Sequence, residues 1–205
     1  MGKAKWAHVD FGTAEWTIPK ENSKNGIEHV VNLSAFALRQ FAELRSEAEA
    51  SAKKLEREVS DYVLPARMHQ GHVCEKSLAK QIGDRQRKDK KPMSRRSSMT
   101  DSLTLPGGRW TPHDLRRTGA TVMGNRGVRP DVIEKCLNHI DQNRIKRIYQ
   151  RQTLRPEMRE AWKLLGEHLE VLTTTNRNVV PLDRTKSRSL TASRTSARIT
   201  NFDRT

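Results

Sequence analysis

Three prolines constrain this chain more than any other feature. Pro112, Pro130 and Pro156 each open a stretch whose apolar residues recur at helical spacing, and each is followed within two residues by an acid, Asp114, Asp131 or Glu157. Proline suits the first helical turn, where its missing N–H would have no partner anyway, and an acid there meets the positive end of the helix dipole. Thr111-Pro112-His113-Asp114 adds a capping box, and Gly127 predicts where that helix stops. The next helix carries Val132, Ile133, Cys136 and Leu137 on one face. A short third one holds Ile145, Ile148 and Tyr149, and a last one aligns Met158, Trp162, Leu165, Leu169 and Leu172. Residues 111–172 therefore read as consecutive helices, and the fold class as mainly α.

The first third reads differently. Residues 6–11 and 15–19 are short apolar runs, the second closed by Pro19, and 28–33 is a returning strand with Val30, Val31 and Leu33. Between them lies KENSKNG (20–26), a turn-rich charged loop. This predicts a small antiparallel β-hairpin or sheet at the N-terminal edge. Ser34 is the expected N-cap of a helix over about 36–58, with Phe41, Leu44, Leu55 and several alanines as its apolar stripe and a solvated, charged distal half. DYVLPA (61–66) is a short apolar patch, and TLPGGRW (104–110) is a turn. From about 84 to 98 the chain is a run of Lys, Arg, Ser and Gln, read as a mobile basic loop, extending to about 109, or the start of a polar helix. The division expected is one domain over 1–172 and a disordered basic tail over 173–205.

Charge narrows the partners. Lys and Arg total 39 against 24 Asp and Glu, a net charge of +15, which attracts polyanions and makes nucleic acid the first partner to test. No apolar run reaches the roughly 18–20 residues of a membrane helix. Two cysteines, Cys74 and Cys136, build no disulfide framework, and the simple setting is a reducing cytoplasm. His69-x-x-His72-x-Cys74 offers three zinc ligands without an obvious fourth, so it reads as a polar loop and no metal is expected.

His113 and Arg116 stand three apart and share a helix face. His113 also lies in the first turn, where backbone N–H groups favour an anion. An imidazole, a guanidinium and a helix N-terminus converging on one point suit a phosphate, two of whose oxygens arginine can grip at once. Arg117 adjoins them, His139 ends the following helix, and Tyr149 comes ten residues later.

HDLRRTGAT (113–121), CLNHI (136–140) and RIYQR (147–151) together resemble the catalytic domain of tyrosine recombinases, the phage-integrase family, in its proteobacterial prophage type. WAHVDFGTAEWTIPKENSKNGIEHVVNLS (6–34) is similar to that family's lysine-bearing hairpin, and the resemblance spans about 4–172. It implies site-specific DNA recombination, the integration or excision of mobile DNA, through a covalent 3′-phosphotyrosyl intermediate. Tyr149 would be the nucleophile, Arg116 would hold the non-bridging oxygens, His113 would assist proton transfer, His139 would hydrogen-bond the phosphate, and Lys24 would protonate the 5′-oxygen leaving group. No cofactor belongs to that mechanism. The resemblance also implies tetramers on paired DNA sites and a bacterial cytoplasmic, nucleoid-bound protein. Arg117, Lys88, Lys90, Lys91, Arg95 and Arg96 are candidate contacts to DNA phosphates.

The sequence departs from the family pattern in one important way. The family carries an earlier arginine, in an Arg-x-x-Glu setting, ahead of the strand that residues 6–10 resemble. Here only Gly2-Lys3-Ala4-Lys5 lie between Met1 and Trp6, and neither lysine matches. The expectation is a partial catalytic domain, with a catalytically impaired DNA-binding remnant as the alternative. Asn138 where glycine is common and Asn32 where proline is common are smaller departures. A third reading, an unrelated basic regulator with a recognition helix, does not account for the Lys24–His113–Arg116–His139–Tyr149 set.

Overall fold

Hydrogen bonding in the first third produces a three-stranded antiparallel meander, β1 (Val9–Asp10), β2 (Glu15–Ile18) and β3 (His29–Asn32), with β2 in the centre and Trp16 opposite both Val9 and Val31. The computed structural model describes residues 2–66, 71–88, 98–139 and 154–174. The run over 6–11 is not one strand: Trp6–His8 is a single 3-10 turn, and only two residues pair with β2. Asp10 makes the tight turn, its carboxylate accepting from the backbone of Gly12 (2.8 Å) and Thr13 (3.0 Å). Those bonds favour its ionised form and lower its pKa.

Helix α1 (Ala35–Lys54) starts where Ser34 Oγ accepts from the Ala37 N–H at 3.3 Å. Its buried line is narrower than the sequence suggested. At about 100° per residue, Phe41, Ala48 and Ala52 fall within an arc of roughly 40°, and Leu44 stands about 60° from Phe41. Leu44 is accordingly 37% exposed, and Leu55, past the last helical turn, is 56% exposed. Phe41 packs with Ala4, Trp6, Val9, Leu33 and Val63 in a core between α1, the sheet and the 61–66 segment. That segment pairs with the N-terminal residues: Trp6 N–H donates to Asp61 O and Val63 N–H to Ala4 O, both at 2.9 Å.

Helix α2 (Glu75–Asp84) was not expected. Beyond it, two parts of the stretch read as a basic loop bond each other, Lys88 N–H to Thr100 O and Leu103 N–H to Arg85 O, both at 3.0 Å. The Gln86 side chain meets Trp110 as a strand would, donating to its carbonyl (2.9 Å) and accepting from its N–H (2.8 Å). Asp84, 2% exposed, lies 3.7 Å from the Arg87 guanidinium. Residues 89–97 lie outside the described residues.

Helix α3 (Pro112–Asn125) has the expected capping box, with the Asp114 carboxylate accepting from the Thr111 N–H (2.9 Å) and hydroxyl (2.8 Å). It ends at Gly127, whose φ of +85° is one that glycine adopts without steric cost. Helix α4 (Pro130–Cys136) buries Val132, Ile133 and Cys136 as expected. Helix α5 (Arg155–Thr173) brings Met158 and Ala161 against them and against Met123 of α3, forming a second core. The expected stripe on α5 packs within its own domain through Met158, Trp162 and Leu165, but Leu172, at its end, is 59% exposed. Gly166 of α5 is buried against Ser34 and Phe36 at the start of α1. The observed class is mainly helical with a small three-stranded antiparallel sheet. The expected helix around Tyr149 and the tail from 175 onward lie outside the described residues.

Candidate active site

The site is organised around the C-terminal end of α4. Asn138 takes a left-handed conformation, φ +53°, which asparagine tolerates better than most residues. The chain there closes as a Schellman motif: Asn138 N–H donates to Lys135 O and His139 N–H to Glu134 O, both at 3.0 Å. A helix end leaves carbonyls without helical partners. Here the next three, in order, accept from side chains of other elements. Cys136 O accepts from His29 Nε2 of β3 (3.3 Å), Leu137 O from the guanidinium of Arg116 of α3, and Asn138 O from Asn25 Nδ2 of the β2–β3 loop (2.7 Å). Sheet, α3 and α4 thus meet along one line of backbone.

This junction opens onto a cleft of about 1690 Å³ lined by Lys24, His113, Arg116 and His139, among others. Four of the five residues expected to carry chemistry therefore face one cavity, although they come from three separate segments. Each of the four is solvent-exposed, as a group that must meet a large ligand has to be. Tyr149, the fifth, lies outside the described residues. Arg116 donates from one guanidinium nitrogen to Leu137 O, which fixes its direction while its other N–H groups remain for a ligand. His139 Nδ1 contacts Glu134 Oε2 at 2.5 Å, so a ligand in the cleft would meet Nε2. Burial lowers the pKa of His29; the bond to Cys136 O opposes that shift and neighbouring Arg116 adds to it. Cys136 is 3% exposed, and burial pushes its thiol pKa up to about 12, so it is a core residue and not a nucleophile at neutral pH.

The other expected contacts are dispersed. Arg117 projects into solvent, 74% exposed, 3.8 Å from Asp114. Lys88 is exposed on the segment held to Thr100, and Lys90, Lys91, Arg95 and Arg96 lie outside the described residues. Of the three ligands considered for zinc, His69 is outside them as well. His72 packs against Tyr62, the ring centres 5.6 Å apart and the planes tilted by 56°, and Cys74 is exposed at the start of α2. Among the described residues no group of three His, Cys, Asp or Glu is placed to hold a metal ion, and no helix is long and apolar enough to cross a membrane.

Sequence reasoning missed Asn25, His29, Arg129 and Lys135, all of which line the cleft. Arg129 carries its own signal, since it precedes Pro130-Asp131 and pairs with Asp131 across the first turn of α4. Asn25 and His29 give none, because their partners lie 113 and 107 residues away.

An arginine, two imidazoles and a lysine around an open cleft form a donor set whose chemistry suits a phosphate group. The comparisons specify the class further. The family model described as the phage integrase family matches residues 1–155. The chain belongs to the phage integrase family, the tyrosine recombinases. It is 29% identical over 153 residues to the prophage integrase IntA of Escherichia coli (strain K12), a match covering 73% of this chain. The same match spans about 30% of the length of that relative. No solved structure matches the chain significantly.

Proposed function

We propose that this chain is a recombinase catalytic domain that cleaves and rejoins DNA in site-specific recombination through a 3′-phosphotyrosyl intermediate. The observation that carries the reading is the convergence of Lys24, His113, Arg116 and His139 on one cleft. Tyr149 Oη attacks the scissile phosphorus; the O–P bond forms as the bond from phosphorus to the 5′ oxygen breaks, leaving a phosphotyrosyl 3′ end and a free 5′ hydroxyl. The phenol proton passes to His113, and Lys24 protonates the departing oxygen. Arg116 and His139 donate to the non-bridging oxygens, where charge grows in the pentavalent transition state. Because the phosphodiester energy is kept in the enzyme–DNA bond, attack by a 5′ hydroxyl reverses the step without ATP.

Double-stranded DNA is the proposed partner. The net charge of +15 supports salt-sensitive binding, and Arg117, Lys88, Lys90, Lys91, Arg95 and Arg96 are the proposed phosphate contacts outside the cleft. The domain is proposed to end near 172 and to work as a tetramer on paired sites. The test is a substitution series, Lys24→Ala, His113→Ala, Arg116→Ala and His139→Ala, assayed by strand cleavage with an intact integrase subunit present. Arg116→Ala is expected to reduce cleavage by roughly 10²–10³-fold, the usual loss on removing one transition-state donor. DNA affinity should change little, because many phosphate contacts remain. Cleavage indifferent to all four substitutions would refute the reading.

A further inference from the structure

We propose that Asn138 is a positioning residue whose side chain latches the β2–β3 loop onto the end of α4 and thereby sets Lys24 against the cleft. The loop has its own local bonds, Asn22 N–H to Pro19 O (2.9 Å), Ser23 N–H to Lys20 O (3.2 Å) and Gly26 N–H to Ser23 O (3.1 Å). These shape the turn without fixing where it lies. The two residues that flank Lys24 supply the fixing. Asn138 Nδ2 donates to Ser23 Oγ at 3.1 Å, and Asn25 Nδ2 donates to both the main-chain O (2.7 Å) and Oδ1 (3.1 Å) of Asn138. Lys24 is therefore clamped on both sides by one residue, and the next residue along from that clamp is His139.

The conformation of Asn138 argues that its side chain has a use. At φ +53° glycine would fit with no steric cost. Asparagine bears a small conformational cost there and returns two side-chain hydrogen bonds that glycine cannot make. Both join segments more than a hundred residues apart, so they act on the relation between sheet and helices and not on α4 itself. Ser23, Asn25 and Asn138 are each only partly exposed, which shields the bonds from full competition by water.

The catalytic consequence rests on the reading of Lys24 as the acid for the leaving group; the latch itself does not. The test uses the full chain with Asn138→Gly, which keeps the backbone and with it the Asn25 bond to the main-chain O but deletes both side-chain bonds of the latch, and Ser23→Ala, which removes one partner from the other side. Sub-second amide hydrogen exchange over residues 20–27 should rise roughly tenfold in Asn138→Gly and less in Ser23→Ala, with α4 unchanged in both. Phosphotyrosyl formation should fall severalfold or more in Asn138→Gly on normal DNA. It should return to the parent rate on DNA whose scissile 5′ bridging oxygen is replaced by sulfur, since a thiolate leaves without a proton. Exchange over 20–27 that is unaltered in both variants overturns the proposal, as does an equal loss on the oxygen and sulfur substrates. A parent chain that forms no Tyr149-linked adduct on either substrate with an intact integrase subunit present would count against the recombinase reading, and the exchange result would still decide the latch.

Discussion

Gly166 is the position where general helix physics and this particular packing disagree most. It lies inside α5, and replacing glycine by alanine inside a helix ordinarily stabilises by about 1 kcal/mol. A Cβ at Gly166, however, would sit well under 3.0 Å from both Oγ and Cβ of Ser34. A rotamer change could move Oγ, but Cβ is fixed to the backbone, so relief requires separating α5 from the start of α1. Overpacking of this kind costs about 1–3 kcal/mol. Displacing Ser34 also weakens its cap on Ala37, which is worth about 1 kcal/mol. Against the helix gain, the net expectation for Gly166→Ala is destabilisation of about 1–3 kcal/mol, read as a lower midpoint in urea unfolding followed by tryptophan fluorescence. Ser34→Gly removes the offending Cβ and, as a cap, costs only a few tenths of a kcal/mol. The double variant Ser34→Gly, Gly166→Ala should therefore be more stable than Gly166→Ala alone. A Gly166→Ala protein as stable as the parent, or a double variant that loses the sum of the two single effects, would refute the packing argument.

Three further outcomes follow from particular contacts. The capping bonds from Thr111 hold the Asp114 pKa below the ordinary carboxylate value, so their contribution to stability is complete above roughly pH 4–5 and disappears as pH falls through the depressed pKa; Asp114→Asn should lose stability at pH 7, and its deficit should shrink steadily as parallel denaturation curves are taken to lower pH. A thiol reagent at pH 8 should modify Cys74 alone in the native chain and both cysteines after denaturation, and rapid native labelling of Cys136 would contradict its burial. Gln86→Leu leaves the Trp110 N–H and carbonyl without their side-chain partners just ahead of the α3 cap, and should cost about 1–3 kcal/mol in the same unfolding assay; no change would mean that Gln86 does not hold that segment.

Much of the helical half is legible from residue types, because its boundaries are set by local chemistry. Thr111, Asp114 and Gly127 act within one turn of their own sequence neighbours, and the structure puts each where that chemistry requires. Helix α2 is less legible. Its apolar side is short, little more than Leu78 and Ile82 one turn apart, Gly83 stands near its end and it starts at Cys74 with no side-chain cap, so the periodic signal is brief and no punctuation supports it. The α1 stripe misleads for another reason: Leu44 and Leu55 look like core residues, but the packed line follows the small residues Ala48 and Ala52. At the site, the His113-x-x-Arg116 pairing is written in helix spacing and can be read. The meeting of Cys136, Leu137 and Asn138 carbonyls with His29, Arg116 and Asn25 is not, since polar bonds between distant segments leave no periodic trace.

The central claim is that the cleft serves a covalent step on DNA, and trapping the intermediate tests it most directly. A duplex nicked just beyond the scissile phosphate loses the 5′ fragment after cleavage, so any protein–DNA link persists. The account predicts an adduct, formed with an intact integrase subunit present, whose DNA-linked peptide contains Tyr149, and its disappearance in Tyr149→Phe with DNA binding retained. Salt-sensitive binding with no adduct from this chain, or an adduct that survives Tyr149→Phe, would contradict it.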